Sequence, residues 1–424
     1  MDRSIETNVC LWQMVIAGYS LVGDMQIGVY HDSIGTKHAG GIAVYARELA
    51  IELSSRHEVY VYTQAGEIAP ELADSDVEVV TTPSFDVPTL GGRLSYSLGW
   101  PLPFGQQPIS KLAMIAWSSY NDVLEHIEEH VDVLIDYQLP DDLLLSNLVD
   151  VPTICGFLSD ESGGVGTAVH SRYTKTETNF AISPYLADHV TETLGYDVDE
   201  VVLPGLDIDQ FHPQTPPAFD REKKTILFVG RLIEAKGIFD LLEAVATLER
   251  NVHLRIVGAG PAEEAIRRQI REFGIGNDVV IEGEVPHEEL PAYYTAADVF
   301  CLPTHVDSFA MVNLEAMGCG APVVTTDLDG IKTYLTPDEN GVAVPPENPD
   351  ALAGALADLL SDPVRRRELG RNARAQARKF SWSEQAAKLE RLCADELGIE
   401  PPERSQIRDC DEPVTAYTSS TYGR

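Results

Sequence analysis

The feature that most limits what this chain can form is the segment Pro213-Gln214-Thr215-Pro216-Pro217. The same strand–glycine–helix–strand pattern runs up to it and restarts after it. Prolines remove backbone donors and bias the preceding residue away from helix, so such a run breaks regular structure and reads as a linker. Before it, residues 26–30 read as a strand and His38-Ala39-Gly40-Gly41 as a loop. A helix follows over 42–56, with Val44, Leu49 and Leu53 on a helical period, then a strand over 57–63. A βαβ unit of this kind builds a parallel, doubly wound sheet. Further buried strands are expected at 131–136, 151–157, 179–183 and 201–204. After the linker the series is 225–230, a helix over 238–249, then strands at 253–258, 279–283, 299–302 and 322–326, with terminal helices over 349–397. The fold class is α/β, with two Rossmann-like parallel domains. A length of 424 residues suits two domains better than one.

The expected division is 25–213 for the first domain, 214–381 for the second, and a returning helix over 382–400. Residues 401–424 form a polar tail expected to be disordered. Residues 1–24 match neither a domain nor a signal peptide: the apolar run 9–23 is too short to span a bilayer, and no basic segment precedes it. Met25 is therefore the expected natural start. Residues 84–120, with Pro88, Pro101, Pro103 and Pro108 among several glycines, read as a long loop and a helix.

Charge narrows the function classes. Lys and Arg total 31 against 67 for Asp and Glu, a net charge of −36. Such a surface repels phosphate backbones, so nucleic acid is not an expected partner. The acids are spread along the chain rather than gathered in a tail, and Arg outnumbers Lys. This composition resembles proteins of salt-loving microbes, halophilic archaea in particular. The six cysteines include no C-x-x-C pair, so neither a zinc site nor a redox pair is signalled, and reduced, buried thiols in a cytoplasmic protein are expected.

Chemistry concentrates in the second half. Gly230-Arg231-Leu232-Ile233-Glu234-Ala235-Lys236-Gly237 ends the domain's first strand, where open α/β sheets bind ligands. Arg offers a planar fork and Lys a mobile point charge, so Arg231 and Lys236 can together neutralise a diphosphate. Further on, Asp307 and Glu315 are separated by seven residues at a helix start, followed by Gly318-Cys319-Gly320-Ala321-Pro322-Val323-Val324. Gly258-Ala259-Gly260-Pro261 and Gly283-Glu284-Val285-Pro286 mark two more strand-end turns.

These segments resemble the retaining GT-B glycosyltransferases of family four, over roughly residues 26–397. The resemblance implies two Rossmann-like domains facing across a cleft, with the helix from Trp382 crossing back to the first. It implies transfer of a hexose-type sugar from a nucleotide-diphosphate-sugar to a hydroxyl acceptor, a glycan or lipid-linked glycan, with retention. Arg231, Lys236 and Asp307 would be the catalytic residues, Glu315 would hold the ribose diol and Asp307 the donor sugar. Backbone at Gly40, Gly41, Gly230, Gly258, Gly260, Val285, Phe309, Ala310, Met311 and Val312 would approach the donor. Asp160 and Glu161 could position the acceptor. No cofactor or metal is expected, because the two cations neutralise the leaving group. The sequence departs from the family at Asp307, where Glu is usual, and at Leu158, where many members carry His. Two rival readings remain: another GT-B enzyme such as a sugar-nucleotide 2-epimerase, which the two-acid signature disfavours, and a catalytically silent nucleotide-sugar binder. Trp100, Phe104 and Trp117 hint at peripheral contact with the cytoplasmic membrane face, against the absence of a basic patch.

The charge generates a test. A net charge of −36 repels itself strongly at low ionic strength. Melting temperature should rise steadily from dilute buffer to molar KCl; a flat profile would remove the high-salt reading.

Overall fold

The computed structural model describes residues 24–31, 33–35, 41–82, 122–137, 139–159, 170–220, 223–248 and 252–400. These form two parallel sheets, each covered by helices on both faces. The first has seven strands: β1 (Gln26–Tyr30), β2 (Glu58–Gln64), β3 (Glu78–Thr82), β4 (Val133–Asp136), β5 (Thr153–Phe157), β6 (Thr178–Ala181) and β7 (Glu200–Val201), in the order β3-β2-β1-β4-β5-β6-β7. The second has β8 (Lys224–Val229), β9 (Val252–Val257), β10 (Val279–Gly283), β11 (Val299–Leu302), β12 (Val323–Thr326) and β13 (Val342–Val344), in the order β10-β9-β8-β11-β12-β13. Chain order reverses beside β1 and again beside β8. At such switch points adjacent strand-end loops diverge and leave a crevice. The central strands are continuous apolar runs buried on both faces, as in β8 and β11, which is why they are legible as sequence.

The elements missed in the sequence include the edge strands β3 and β13 and the helices Pro70–Ala73, Leu139–Leu148, Glu263–Phe273 and Leu290–Ala296. Both edge strands are only partly buried; β3 mixes Glu78 and two threonines with its valines, and β13 is apolar but only three residues long. The helix Glu263–Phe273 buries only Ile266 and Ile270 of its length, so its charged face dominates the pattern.

The change of domain comes earlier than the proline run suggests. Leu206 and Phe211 belong to the core of the second domain. Leu206 N–H donates to the carbonyl of Phe380 at 2.9 Å. Gly205 lies so close to Trp382 that a Cβ would stand 2.4 Å from its backbone nitrogen. The chain therefore passes between domains near 204–205 and returns beside that point at 381–382. The boundary expected at 213 is corrected accordingly: the prolines break regular structure but do not change the core. They are tied to the second domain, where Ala218 N–H donates to Ala292 O at 2.9 Å.

The returning helix Trp382–Leu397 joins the first domain's core through Ala386, Leu389, Leu392, Cys393 and Ala394. It packs on the helix Gly41–Ser54, where the Trp382 ring lies 5.9 Å from that of Tyr45. Its buried Glu390 accepts from His57 Nε2 at 2.9 Å and pairs with Arg56 at 3.0 Å, so the buried carboxylate is compensated. Leu389 is fully buried in this contact. Leu389→Ala should cost about 2–5 kcal/mol in denaturant unfolding, and Leu389→Met less than about 1.5 kcal/mol. A negligible loss in Leu389→Ala would mean that the helix does not hold the first domain.

Candidate active site

The site is built where β8, β9 and β10 end. Gly230 N–H donates to Val257 O at 3.0 Å, and Gly258 N–H to Gly283 O at 2.7 Å. Here two strand-end loops meet backbone to backbone. A Cβ on Gly258, whose φ is +131°, would stand 2.0 Å from Gly230 O, and one on Gly260 would stand 2.4 Å from Leu232 O. Only glycine allows this approach. The turn at Gly258 and Gly260 thus fixes the shape of the Gly230 loop, a packing role beyond a tight turn. Val285 is half-buried and packs on the second core.

Arg231, in the same loop, is exposed; its carbonyl accepts from Ile233 N–H at 2.9 Å, and among the described residues its guanidinium makes no hydrogen bond or ion pair. Lys236 closes a short 3₁₀ turn, Glu234–Lys236. Its Nζ lies 2.5 Å from Asp307 Oδ2. The structure thus brings Lys236 and Asp307 into direct contact across 71 positions of sequence.

Asp307 also has a local job. Its Oδ1 accepts from Ala310 N–H at 2.8 Å and Phe309 N–H at 3.3 Å. This holds Ala310 at φ +58°, a left-handed conformation that non-glycine residues seldom adopt, immediately before the helix Met311–Gly318. One expectation is corrected here. The N–H groups of Phe309 and Ala310, expected to face the donor, are taken by Asp307. The Phe309 ring faces the core, 4.9 Å from Tyr334. Met311 and Val312 supply the first N–H groups of the helix, and Met311 lines the cavity between the domains.

Glu315 lies one turn into that helix and is buried at 5 % exposure. His287 Nε2 is 3.0 Å from its Oε1, and Tyr294 O–H donates to its Oε2 at 2.7 Å. A carboxylate has about four acceptor positions, so two partners fix its rotamer and leave capacity for a ligand. His287 is the residue that sequence reading missed. No spacing marks it; only its place directly after Gly283-Glu284-Val285-Pro286 could have suggested it. Burial works against its charged form, but the charge and hydrogen bond of Glu315, with Glu48 adding, outweigh burial and Arg47, and its basicity is raised. The cavity it shares with Glu315 is lined by Val44 and Glu48 of the first domain, by Asp207 and Phe211 of the crossing segment, and by Trp382.

Gly41 starts the helix Gly41–Ser54 with open space where a Cβ would be, so packing does not demand glycine there. Gly40, Asp160, Glu161, Trp100, Phe104 and Trp117 lie outside the described residues. Leu158 is buried in the first core. Asp142, Cys155 and His170 place potential metal-ligating atoms within 4.8 Å of one another. Asp142 already accepts from His170, at 2.5 Å, and from Thr174 and Thr176. Burial would raise its pKa, yet these donors together hold it below the usual carboxylate range. An ionised carboxylate with three donors, facing the imidazole nitrogen that donates to it, makes a hydrogen-bonded cluster rather than an ion site. Cys155, Cys301, Cys319 and Cys393 are buried and form no disulfide, and burial pushes the thiols of Cys301, Cys319 and Cys393 up, which keeps those three unreactive. Among the described residues no helix is long and apolar enough to cross a membrane.

Comparison with known proteins places this geometry. Curated relatives include the D-inositol 3-phosphate glycosyltransferases of Xylanimonas cellulosilytica, 34% identical over 221 residues, and of Corynebacterium glutamicum, 34% identical over 227 residues. Each alignment covers 48% of this chain, and 53% and 54% of those proteins respectively, so the chain spans about half the length of the curated relatives it matches. Among solved structures, sucrose-phosphate synthase from Thermosynechococcus elongatus superposes with a TM-score of 0.71 at 21% identity, covering 88% of this chain and 99% of that one. HepE of Anabaena, in complex with UDP and glucose, gives 0.68 at 18% identity, over 86% and 98%. Residues 212–376 match the family described as Glycosyl transferases group 1, and the two facing parallel domains have the GT-B fold of glycosyltransferases.

Proposed function

We propose that the chain is a retaining glycosyltransferase that moves a hexose-type sugar from a nucleotide-diphosphate donor to a hydroxyl acceptor. The observation that carries this reading is the Lys236–Asp307 contact just before the helix that carries a buried, pre-oriented Glu315. Glu315 accepts the ribose hydroxyls. Arg231 and Lys236 take the diphosphate: phosphate oxygens replace Asp307 on Lys236, and the freed carboxylate oxygen turns to the donor sugar. Charge developing at the leaving diphosphate is then met by fixed cations in a site from which closure removes water. In this reading the cations do the neutralising that a metal ion would otherwise do, and no cofactor takes part.

The acceptor is a glycan or lipid-linked glycan hydroxyl. The relatives named for D-inositol 3-phosphate make an inositol phosphate a further acceptor to assay. Gly40 with Gly41, and Asp160 with Glu161, are the acceptor-side positions in this reading. The protein works in the cytoplasm, in contact with the inner membrane face where the acceptor is lipid-linked. Its acidic surface adapts it to high salt, as in halophilic archaea.

The kinetic roles of the two acids differ. Ribose contacts are shared by ground and transition states, so Glu315→Ala should mainly raise KM for the donor. Asp307→Ala should mainly lower kcat, by on the order of 10²-fold, as for loss of one preorganised electrostatic contact. Asp307→Asn keeps an oxygen to cap Phe309 and Ala310 and so separates loop shape from charge; it should lose kcat nearly as much as Asp307→Ala. Release of the nucleoside diphosphate from a panel of nucleotide-sugars, with and without glycans and inositol phosphates, is the assay. Parent-like kcat in both Asp307 variants would remove its assigned role. Donor binding without turnover on any acceptor would favour a silent binder.

A further inference from the structure

The cavity between the domains gathers carboxylates from both. Glu315 comes from the helix Met311–Gly318, Glu48 from the helix Gly41–Ser54 and Asp207 from the crossing segment. Burial raises the Glu48 carboxyl, Arg47 and His287 oppose that, and Glu71 and Asp207 add to it. Two cations face these acids. Arg47 is buried, with its guanidinium 4.0 Å from Glu48. His287 hydrogen-bonds Glu315 and feels Glu48. Tyr294, from the helix Leu290–Ala296, is a neutral donor to Glu315, its phenol held far up by burial first and by Glu315 second. The Phe211 ring, 5.3 Å from that of His287, closes the other side.

We propose that His287 is the positioning residue of the donor site: it fixes Glu315 for the ribose, and its positive charge lets Glu48 of the first domain and Glu315 of the second share one cavity. The inference rests on the donor-binding reading above. Its logic is electrostatic. Like carboxylates brought into a half-desolvated cavity repel unless a cation lies with them. With His287 charged, both have a partner and the domains close on the nucleotide. With His287 neutral, its N–H still reaches Glu315, but Glu48 keeps only Arg47, so closure weakens.

The sign follows from the direction of the shift. His287 is raised above its ordinary value, so its charge persists to higher pH than that of a free imidazole and is lost as pH rises through the raised value. Donor affinity should therefore fall with rising pH while kcat at saturating donor changes little.

The test uses the full chain, with donor KM and kcat measured between about pH 6 and pH 9, on both sides of neutrality. UDP, GDP and ADP serve as binding probes by calorimetry. Wild type should show a KM that rises through one inflection. His287→Ala should raise KM about tenfold at low pH, the scale of one charge-assisted hydrogen bond. His287→Gln keeps a donor to Glu315 without charge; it should recover part of that loss and give a pH-independent KM. Glu48→Gln should move the wild-type inflection to lower pH, because one of the two acids that raise His287 is gone. A flat wild-type profile, or a His287→Ala KM within about twofold of the parent, overturns the proposal. Should none of the three diphosphates bind wild type, the donor-site reading itself fails. Should one bind, and weaken in Glu315→Gln but not in the His287 variants, only the role of His287 fails.

Discussion

The cavity depends on the chain crossing between domains twice at one place. Near residue 205 it leaves the first domain, and at Ser381–Trp382 it returns, with Gly205 pressed against the Trp382 backbone. The helix Trp382–Leu397 then inserts its apolar face into the first core. Without that insertion the two sheets would be joined by a single segment, and relative domain motion would be nearly free. With it, the motion left is rotation about two adjacent crossing segments. That is enough to open a cleft while keeping Val44 and Glu48 opposite His287 and Glu315.

Within the second domain a different constraint sets the site. Loops after β8 and β9 touch through backbone at Gly230 and Gly258, and Arg231 beside this contact is exposed. Asp307 then does two things at once. It holds the left-handed turn at Ala310 that opens the helix of Glu315, and it keeps Lys236 in place through an ion pair. In a chain with 67 acids and 31 basic residues cations are scarce, and Lys236 is held on Asp307. An Asp in place of Glu here is shorter by one methylene, which suits an oxygen that caps its own loop.

How much of this was legible follows from what generates each feature. Central strands such as β8 and β11 are buried on both faces and read as apolar runs. β3 lies at a sheet edge, where half-exposed polar residues blur the pattern, and β13, also at an edge, is an apolar run of only three residues. The residues Arg231, Lys236, Asp307 and Glu315 were legible because they belong to a spaced motif. His287 was not, because its role comes from a contact to Glu315 across 28 positions, and nothing in the spacing announces it. The domain change was misplaced because prolines report a break in regular structure, whereas the core to which Leu206 and Phe211 belong is a property of packing. The donation of Phe309 and Ala310 N–H groups to Asp307 was likewise invisible, since a helix start in sequence says nothing about which acceptor takes its donors.

The central claim is that this crevice binds a nucleoside diphosphate through Arg231 and Lys236. The most direct measurement is the melting temperature of the full chain in molar KCl with UDP, GDP and ADP, beside their monophosphates. A ligand that binds only the folded state raises the midpoint by mass action. At least one diphosphate should raise it, more than its monophosphate does, and the double variant Arg231→Met with Lys236→Met should lose that difference. No shift with any diphosphate, or a shift of equal size in the double variant, would contradict the account.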